Sequence, residues 1–182
     1  MRTWIALIRG INVGGKQLPM ERLRTLLADL GCSEVRTYIQ SGNAVFCSRA
    51  GDASRLATRI SKAIAADHGF EPFVLVLSHE ELVKVAAGNP YARAVATEPK
   101  FVHAFFLAAV PKAPDIEAMQ RLKTPSESFA LDGRTLYLHT PDGFGVSKLA
   151  ERAERLLGVP ATARNWRTVT MLLEMSAKAA TR

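Results

Sequence analysis

Apolar residues recur along this chain with two periods, and the periods change in a regular order. TWIALIRG (3–10) is an apolar run of strand length that ends in a glycine-rich turn. Leucines at helical spacing follow over 19–31, with proline in the first turn and glycine at the end. VRTYIQ and AVF flank a Ser-Gly-Asn turn at 41–43, which predicts a hairpin. A helix over 53–68 and a strand over 72–77 complete this set of elements.

The same order of elements begins again after a proline-containing stretch without periodicity. FVHAFFLAA (101–109) predicts a strand and 114–123 a helix, and Asp132-Gly133 marks the turn of a second hairpin. A helix over 147–157 comes next. Residues 159–163 are too short to predict a closing strand, and the chain ends in a helical pattern, NWRTVTMLLEMSAKAA.

The order strand, helix, hairpin, helix, strand predicts an α+β fold. We expect two ferredoxin-like (split βαβ) halves, whose antiparallel or mixed sheets are backed by helices, plus a C-terminal helix. The N-terminal lobe is predicted over 1–88, including a short connecting helix, with a linker at 89–100 and a C-terminal lobe at 101–182. A doubly wound parallel sheet would contradict this prediction.

Composition predicts an ordinary globular chain of 182 residues, with 48% hydrophobic and 23% charged residues. No apolar run has the length of a membrane span, and the N-terminus lacks a signal-peptide core. We therefore expect a cytoplasmic protein without a membrane partner. Cys32 and Cys47 are too few for a disulfide framework and are interpreted as small buried hydrophobic residues.

The net charge of +7 and the pI near 9.8 are compatible with a nucleic acid or another polyanion as partner. The basic residues are dispersed, however, and the chain has no basic tail. Because the charge is not concentrated anywhere, a mild surplus of arginine on an ordinary surface is the preferred explanation.

The stretch RGINVGGK resembles a phosphate-binding P-loop, with glycine, four residues, glycine and lysine. Gln17 replaces the hydroxyl residue that would bind magnesium, and Pro19 places the helix start after Lys16 rather than at it. No later strand ends in the aspartate of such a site. We expect no P-loop nucleotidase. The histidines lack metal-ligand spacing, so we predict no metal site and no cofactor.

Four motifs in order carry a family resemblance: RGINVGGK, YIQSGN, SKL before a late helix, and TARNWRTV. Together they resemble the bacterial domain-of-unknown-function family number 1697 over nearly the whole chain. The resemblance implies a cytoplasmic α+β protein with two similar halves, and it supplies no activity.

These motifs contain cations close to predicted helix N-termini, where cations are ordinarily disfavoured. A helix N-terminus beside a cation forms an anion site. We predict that ten residues bind a ligand: Arg9, Asn12, Lys16, Ser41, Gly42, Asn43, Ser147, Lys148, Arg164 and Asn165. The alternative is structural: asparagines in tight turns adopt left-handed or Asx-turn conformations, and basic residues are common here.

The hypothesis from sequence is a protein that binds an anionic, phosphate-bearing small molecule in a cleft between two similar lobes. The sequence assigns no reaction and no catalytic residue. The alternative is a weak nucleic-acid-binding protein that uses the same basic residues, and a purely structural module is also left open.

Overall fold

The computed structural model of this chain describes residues 1–180, and both split βαβ units are present. The strands are β1 Arg2–Ile8, β2 Ser33–Tyr38, β3 Asn43–Ser48, β4 Val74–Ser78, β5 Val102–Leu107, β6 Ser128–Asp132, β7 Thr135–His139 and β8 Ala161–Asn165. The α-helices are α1 Met20–Asp29, α2 Ala53–His68, α3 His79–Ala87, α4 Ala92–Thr97, α5 Ile116–Leu122, α6 Lys148–Leu157 and α7 Trp166–Ala180. Short 3-10 turns cover Pro99–Phe101 and Phe144–Val146.

The first sheet has the strand order β2-β3-β1-β4, and every pairing in it is antiparallel. The central strand β1 pairs Leu7 with Asn43 on one side and Ile8 with Val74 on the other. Leu23 of α1 and Leu56, Ile60 and Ile64 of α2 pack on one face of this sheet. The predicted ferredoxin-like arrangement is confirmed for this half.

The second sheet repeats the topology, with the order β6-β7-β5-β8 and antiparallel pairing throughout. Helices α5 and α6 supply the apolar cluster on one face, including Met119, Leu149 and Leu157. The expectation that residues 159–163 form no closing strand is wrong. Strand β8 pairs along β5, with Ala163 opposite Phe105, so the second half is also a complete split βαβ unit.

The chain divides into two compact units. One comprises Met1–Lys84 together with the chain from Thr170 onward, and the other is Val85–Val169. We call them the first and second unit. Their boundaries fall inside α3 and α7, whereas the sequence suggested 1–88, 89–100 and 101–182. Within the predicted linker, residues Ala92–Thr97 form α4.

The cysteines and the helix ends follow elementary expectations. Cys32 and Cys47 are buried free thiols, as predicted. Asp52 caps α2 by accepting a hydrogen bond from the Arg55 amide, and Gly69 ends the helix in a left-handed conformation. No helix between residues 1 and 180 is long and apolar enough to cross a membrane.

Candidate functional site

The six candidate residues of the first unit lie at one end of its sheet. Strands β1 and β2 end there, at Ile8 and Tyr38, and β3 and β4 begin there, at Asn43 and Val74. The loop over 9–19 and the hairpin turn over 39–42 therefore meet at this edge. The candidates on these segments are Arg9, Asn12, Lys16, Ser41, Gly42 and Asn43.

The glycine-rich stretch forms a tight two-residue turn. The Lys16 amide donates to the Val13 carbonyl at 3.2 Å, and the central residues Gly14 and Gly15 both have positive φ, at 56° and 84°. This is the geometry of a type I′ turn, which glycine adopts without steric cost. Among residues 1–180, the amides of Gly14 and Gly15 donate no hydrogen bond.

This turn differs from a P-loop in where the helix begins. Helix α1 starts at Met20, so its first turn does not contain Lys16, and the Lys16 amide is engaged in the turn. A P-loop lysine lies in the opening turn of its helix, where several amides surround the phosphates. Lys16 is instead exposed beside two glycine amides.

Asn12 joins the two loops through its side chain. Its Nδ2 donates to the carbonyls of Gln40 at 2.7 Å and Leu18 at 3.1 Å, and its Oδ1 accepts from the Leu18 amide at 2.9 Å. Its backbone is left-handed, with φ of 57°, which agrees with the alternative interpretation of this asparagine as a residue of a tight turn. The amide group therefore fixes the shape of the candidate site.

We expect Asn12→Ala to destabilise the protein by about 2 kcal/mol, because it deletes three hydrogen bonds and leaves backbone groups without partners. Urea unfolding, followed as a change of midpoint at constant slope, measures this loss. Asn12→Asp keeps an acceptor for the Leu18 amide but sets a carboxylate oxygen against the carbonyls of Gln40 and Leu18, so its destabilisation should be at least as large. Equal stability of the alanine variant and the wild type would contradict the role assigned to Asn12.

Ser41, Gly42 and Asn43 close the β2–β3 hairpin. Asn43 is buried at the start of β3, where its Nδ2 donates to Ser41 Oγ at 2.9 Å and to the Tyr38 carbonyl at 3.3 Å. The expectation of a left-handed backbone at Asn43 is wrong, because its φ is not positive and its backbone is paired in the sheet with Leu7 and Tyr38. The left-handed positions of this hairpin are Ile39 and Gly42.

Two exposed aliphatic side chains flank the joined loops. Val13 is 62% exposed and Ile39 is 53% exposed. Ile39 has φ of 47°, which is a strained conformation for a β-branched residue. Arg9 is exposed at the same edge, with its guanidinium carbon 5.2 Å from the centre of the Phe73 ring.

The candidates of the second unit also gather at one end of their sheet. Strand β5 begins there, β7 and β8 end there, and α6 starts there. Ser147 caps α6 by accepting a hydrogen bond from the Ala150 amide at 3.0 Å, and Lys148 is exposed at the first helical position. Asn165 accepts from the Thr168 amide at 3.0 Å at the start of α7.

The sequence suggested that Arg164 lies at the start of the last helix, but the structure places it in β8. Its Nη1 donates to Thr162 Oγ1 at 2.7 Å and to the Ala163 carbonyl at 2.8 Å. Burial lowers the pKa of this guanidinium from 12.5 to about 10. Because side chains alternate along a strand, Arg164 lies on the face of Ala104, whereas Asn165 lies on the face of His103.

The two groups occupy opposite ends of equivalent sheets. In the first unit the candidates follow the end of the central strand β1, and in the second they adjoin the beginning of the central strand β5. Convergence of Arg9, Lys16, Lys148 and Arg164 on one ligand therefore does not follow from the repeated topology. It stays a prediction.

His103 is a buried titratable group that the sequence did not single out for a role. It is 8% exposed, its ring stacks on Phe144 with centroids 3.9 Å apart, and its Nδ1 has no hydrogen-bond partner among residues 1–180. Burial lowers its pKa from 6.5 to about 4, so the imidazole is neutral at physiological pH.

Within the described chain, no group of three or more His, Cys, Asp and Glu side chains could hold a metal ion.

Fold and site together define an α+β protein with two split βαβ units and polar, cation-bearing loops at the sheet ends. The family model described as "Protein of unknown function (DUF1697)" matches residues 1–137. The chain belongs to this family, as its motifs suggested. The match contains the motifs RGINVGGK and YIQSGN and ends before SKL and TARNWRTV.

A solved structure shares the fold. The conserved bacterial protein SP0830 from Streptococcus pneumoniae is similar, with a TM-score of 0.72 and 23% sequence identity, over 96% of this chain and 98% of that one. At this identity the similarity establishes the fold alone. A search of the curated proteins finds no match.

Proposed function

We propose that this protein binds an anionic, phosphate-bearing small molecule through the polar, cation-bearing loops at the ends of its sheets. The observation that carries the proposal is the turn in the first unit, where the amides of Gly14 and Gly15 make no hydrogen bond within residues 1–180 and Lys16 is exposed beside them. Backbone amides next to a cation are the groups that bind phosphate oxygens in proteins.

The joined loops give this turn a fixed shape. Asn12 bonds to Leu18 and Gln40 and so connects the glycine turn to the β2–β3 hairpin. A turn held in this way binds a ligand at a lower entropic cost than a mobile loop would. The strain at Ile39 supports the same proposal, because strained backbone is concentrated at binding sites.

The second unit supplies a comparable set of groups at the start of α6. Ser147 satisfies one amide of the first helical turn, and the exposed Lys148 adds a positive charge to that helix end. The sequence predicts that this group and the glycine turn bind the same ligand.

The test is titration calorimetry with a sugar phosphate and a nucleoside monophosphate, with sulfate and chloride as ionic controls. We expect Lys16→Ala to weaken binding by about tenfold to a hundredfold, because a charge-assisted hydrogen bond contributes roughly 1.5–3 kcal/mol. Lys62→Ala is the matched control, because Lys62 is an exposed lysine within α2. Equal affinity of Lys16→Ala and Lys62→Ala for the phosphate ligands would refute the proposal.

The stoichiometry of the same titration tests whether one ligand contacts both groups. A binding event that is weakened both by Lys16→Ala and by Lys148→Ala supports the shared site. Two independent events, each sensitive to one substitution, would contradict it. A steep fall of affinity with salt, together with preference for an oligonucleotide, would favour the nucleic-acid alternative.

A further inference from the structure

The opposite end of the first sheet carries a second cationic region, which none of the sequence motifs covers. Two adjoining surface depressions there have volumes of about 440 Å³ and 570 Å³. Both are lined by Ser48, Arg49 and Ala50. We call this region the arginine depression.

Three arginines line the arginine depression. Arg2 borders the smaller part, Arg59 the larger part, and Arg49 both. Ser33 and Ser48 also line it, and their hydroxyls have partners within the chain: Ser33 Oγ donates to Met1 Sδ at 3.4 Å, and Ser48 Oγ accepts from the Ala50 amide at 3.2 Å. In the part of the chain that the structure describes, no aspartate or glutamate lines either part, so the region offers hydrogen-bond donors and positive charge without a lining carboxylate.

The charges of these arginines are compensated to different degrees. Arg59 donates through Nη2 to the Leu30 carbonyl at 3.0 Å, which covers the negative end of α1 with a cation. A hydrogen bond with Ser78 is the main cause that lowers the pKa of the Glu80 carboxyl, and the charge of Arg2 makes a smaller contribution in the same direction. The Arg49 side chain makes no hydrogen bond or ion pair with any residue in 1–180.

We propose that the arginine depression binds an oxyanion with at least two negative charges, of the phosphate monoester or pyrophosphate class. Guanidinium groups recognise such oxyanions through paired hydrogen bonds. This site is separate from the glycine turn, which lies at the other end of the same sheet.

Arg49 is the residue that the test replaces, because its side chain makes no hydrogen bond or ion pair with any residue in 1–180 and its loss leaves those contacts intact. The probe is pyrophosphate, titrated at low ionic strength into the isotopically labelled protein, with the amide resonances of Ser33 and Ser48 as local reporters. We expect saturable shifts at both amides, and a loss of affinity of about tenfold or more in Arg49→Ala.

The matched control is Arg93→Ala, because Arg93 is an exposed arginine outside the depression. It should bind pyrophosphate within about twofold of the wild type, and Arg49→Lys should recover part of the lost affinity, since it restores the charge without the planar donor pair. A Lys16→Ala background separates this site from the glycine turn, because the shifts at Ser33 and Ser48 should persist in it.

Three results would overturn the proposal. One is the absence of saturable shifts at Ser33 and Ser48 in the wild type. The second is an unchanged pyrophosphate affinity in Arg49→Ala. The third is an oligonucleotide that binds more tightly than pyrophosphate and loses its affinity in Arg49→Ala, which would assign the depression to a nucleic-acid backbone instead.

Discussion

Gly42→Ala is expected to destabilise the first unit by about 3 kcal/mol or more, through two separate effects. Gly42 has φ of 76°, a left-handed conformation that costs a residue with a side chain roughly 1–2 kcal/mol. A Cβ atom on Gly42 would in addition lie 2.4 Å from the Ile8 carbonyl oxygen and 2.9 Å from the Ile8 Cβ. Both atoms belong to the end of the central strand, which has little freedom to move.

Relief of this clash would damage the sheet. The Ile8 amide donates to the Gly42 carbonyl at 2.7 Å, and Ile8 itself pairs with Val74 in β4. A shift of the hairpin away from Ile8 therefore breaks a buried backbone hydrogen bond and displaces the start of β3 at Asn43. We expect both the stability and the proposed phosphate affinity to fall in this variant.

Gly69→Ala is the control that separates strain from steric overlap. Gly69 has nearly the same φ, 73°, but a Cβ atom there would meet no atom within 4 Å. Its substitution should cost only the conformational part, roughly 1–2 kcal/mol. Chemical denaturation of both variants gives the comparison, and equal losses would show that the approach of Gly42 to Ile8 is not a constraint.

Much of the fold was predictable because the chain marks its elements with strong local patterns. The helix over Ala53–His68 has a capping aspartate, an apolar stripe and a terminal glycine, and its bounds agree with the prediction. The turns at the two hairpins each contain a glycine, and they predicted the positions of β2, β3, β6 and β7 closely enough to indicate the topology. These signals are local, so one sequence suffices to find them.

Strand β8 and helix α4 were missed because tertiary context and short length produce them. The strand sequence ATARN has no β-branched residue except Thr162, and Ala161 and Ala163 are small because they pack under α5 and α6. Its pairing with β5 supplies the stabilisation that its own propensity lacks. Helix α4 has six residues between Pro90 and Pro99, which is too short for an apolar period to be visible.

The candidate site was predictable in composition but not in geometry. Glycines and a lysine after the first strand correctly indicated a tight turn and not a P-loop helix start. The left-handed Ile39 could not be predicted, because β-branched residues disfavour that conformation. The partners of Asn12, which lie up to 28 residues away, also depend on tertiary structure. The position of Arg49 beside Arg2 and Arg59 could not be predicted either, because Arg49 belongs to no motif and only the fold brings the three arginines together.

Acidification is expected to destabilise the protein through His103. Its pKa is about 6.5 in the unfolded chain and about 4 when folded, because burial disfavours the charged imidazolium. Well above pH 6.5 the imidazole is neutral in both states, so it makes no pH-dependent contribution to folding stability. As the pH falls below 6.5 the unfolded state binds a proton that the folded state does not, so folding stability decreases until the pH passes the folded pKa.

The size of this effect follows from the displacement of the pKa. At ~1.4 kcal/mol per pH unit, the loss attributable to His103 should be about 2 kcal/mol at pH 5 and about 3 kcal/mol at pH 4 and below. The residues around the ring offer the charge no compensation: Phe144 stacks on it, Phe105 lies beside Phe144, and the cross-strand neighbours are Leu138 and Asn165. Protonation therefore leaves an imidazolium among mainly apolar groups.

His103→Leu tests this directly, because leucine has a similar volume and does not titrate. The difference in unfolding free energy between the variant and the wild type, measured by urea denaturation from pH 7 to pH 4, should shift in favour of the variant by about 3 kcal/mol. His139→Leu, a substitution on the neighbouring strand β7, controls for the general effect of removing a histidine from this sheet. A pH-independent difference between wild type and His103→Leu would show that the imidazole gains a proton in the folded protein as readily as in the unfolded chain, and that this end of the second sheet is accessible to water.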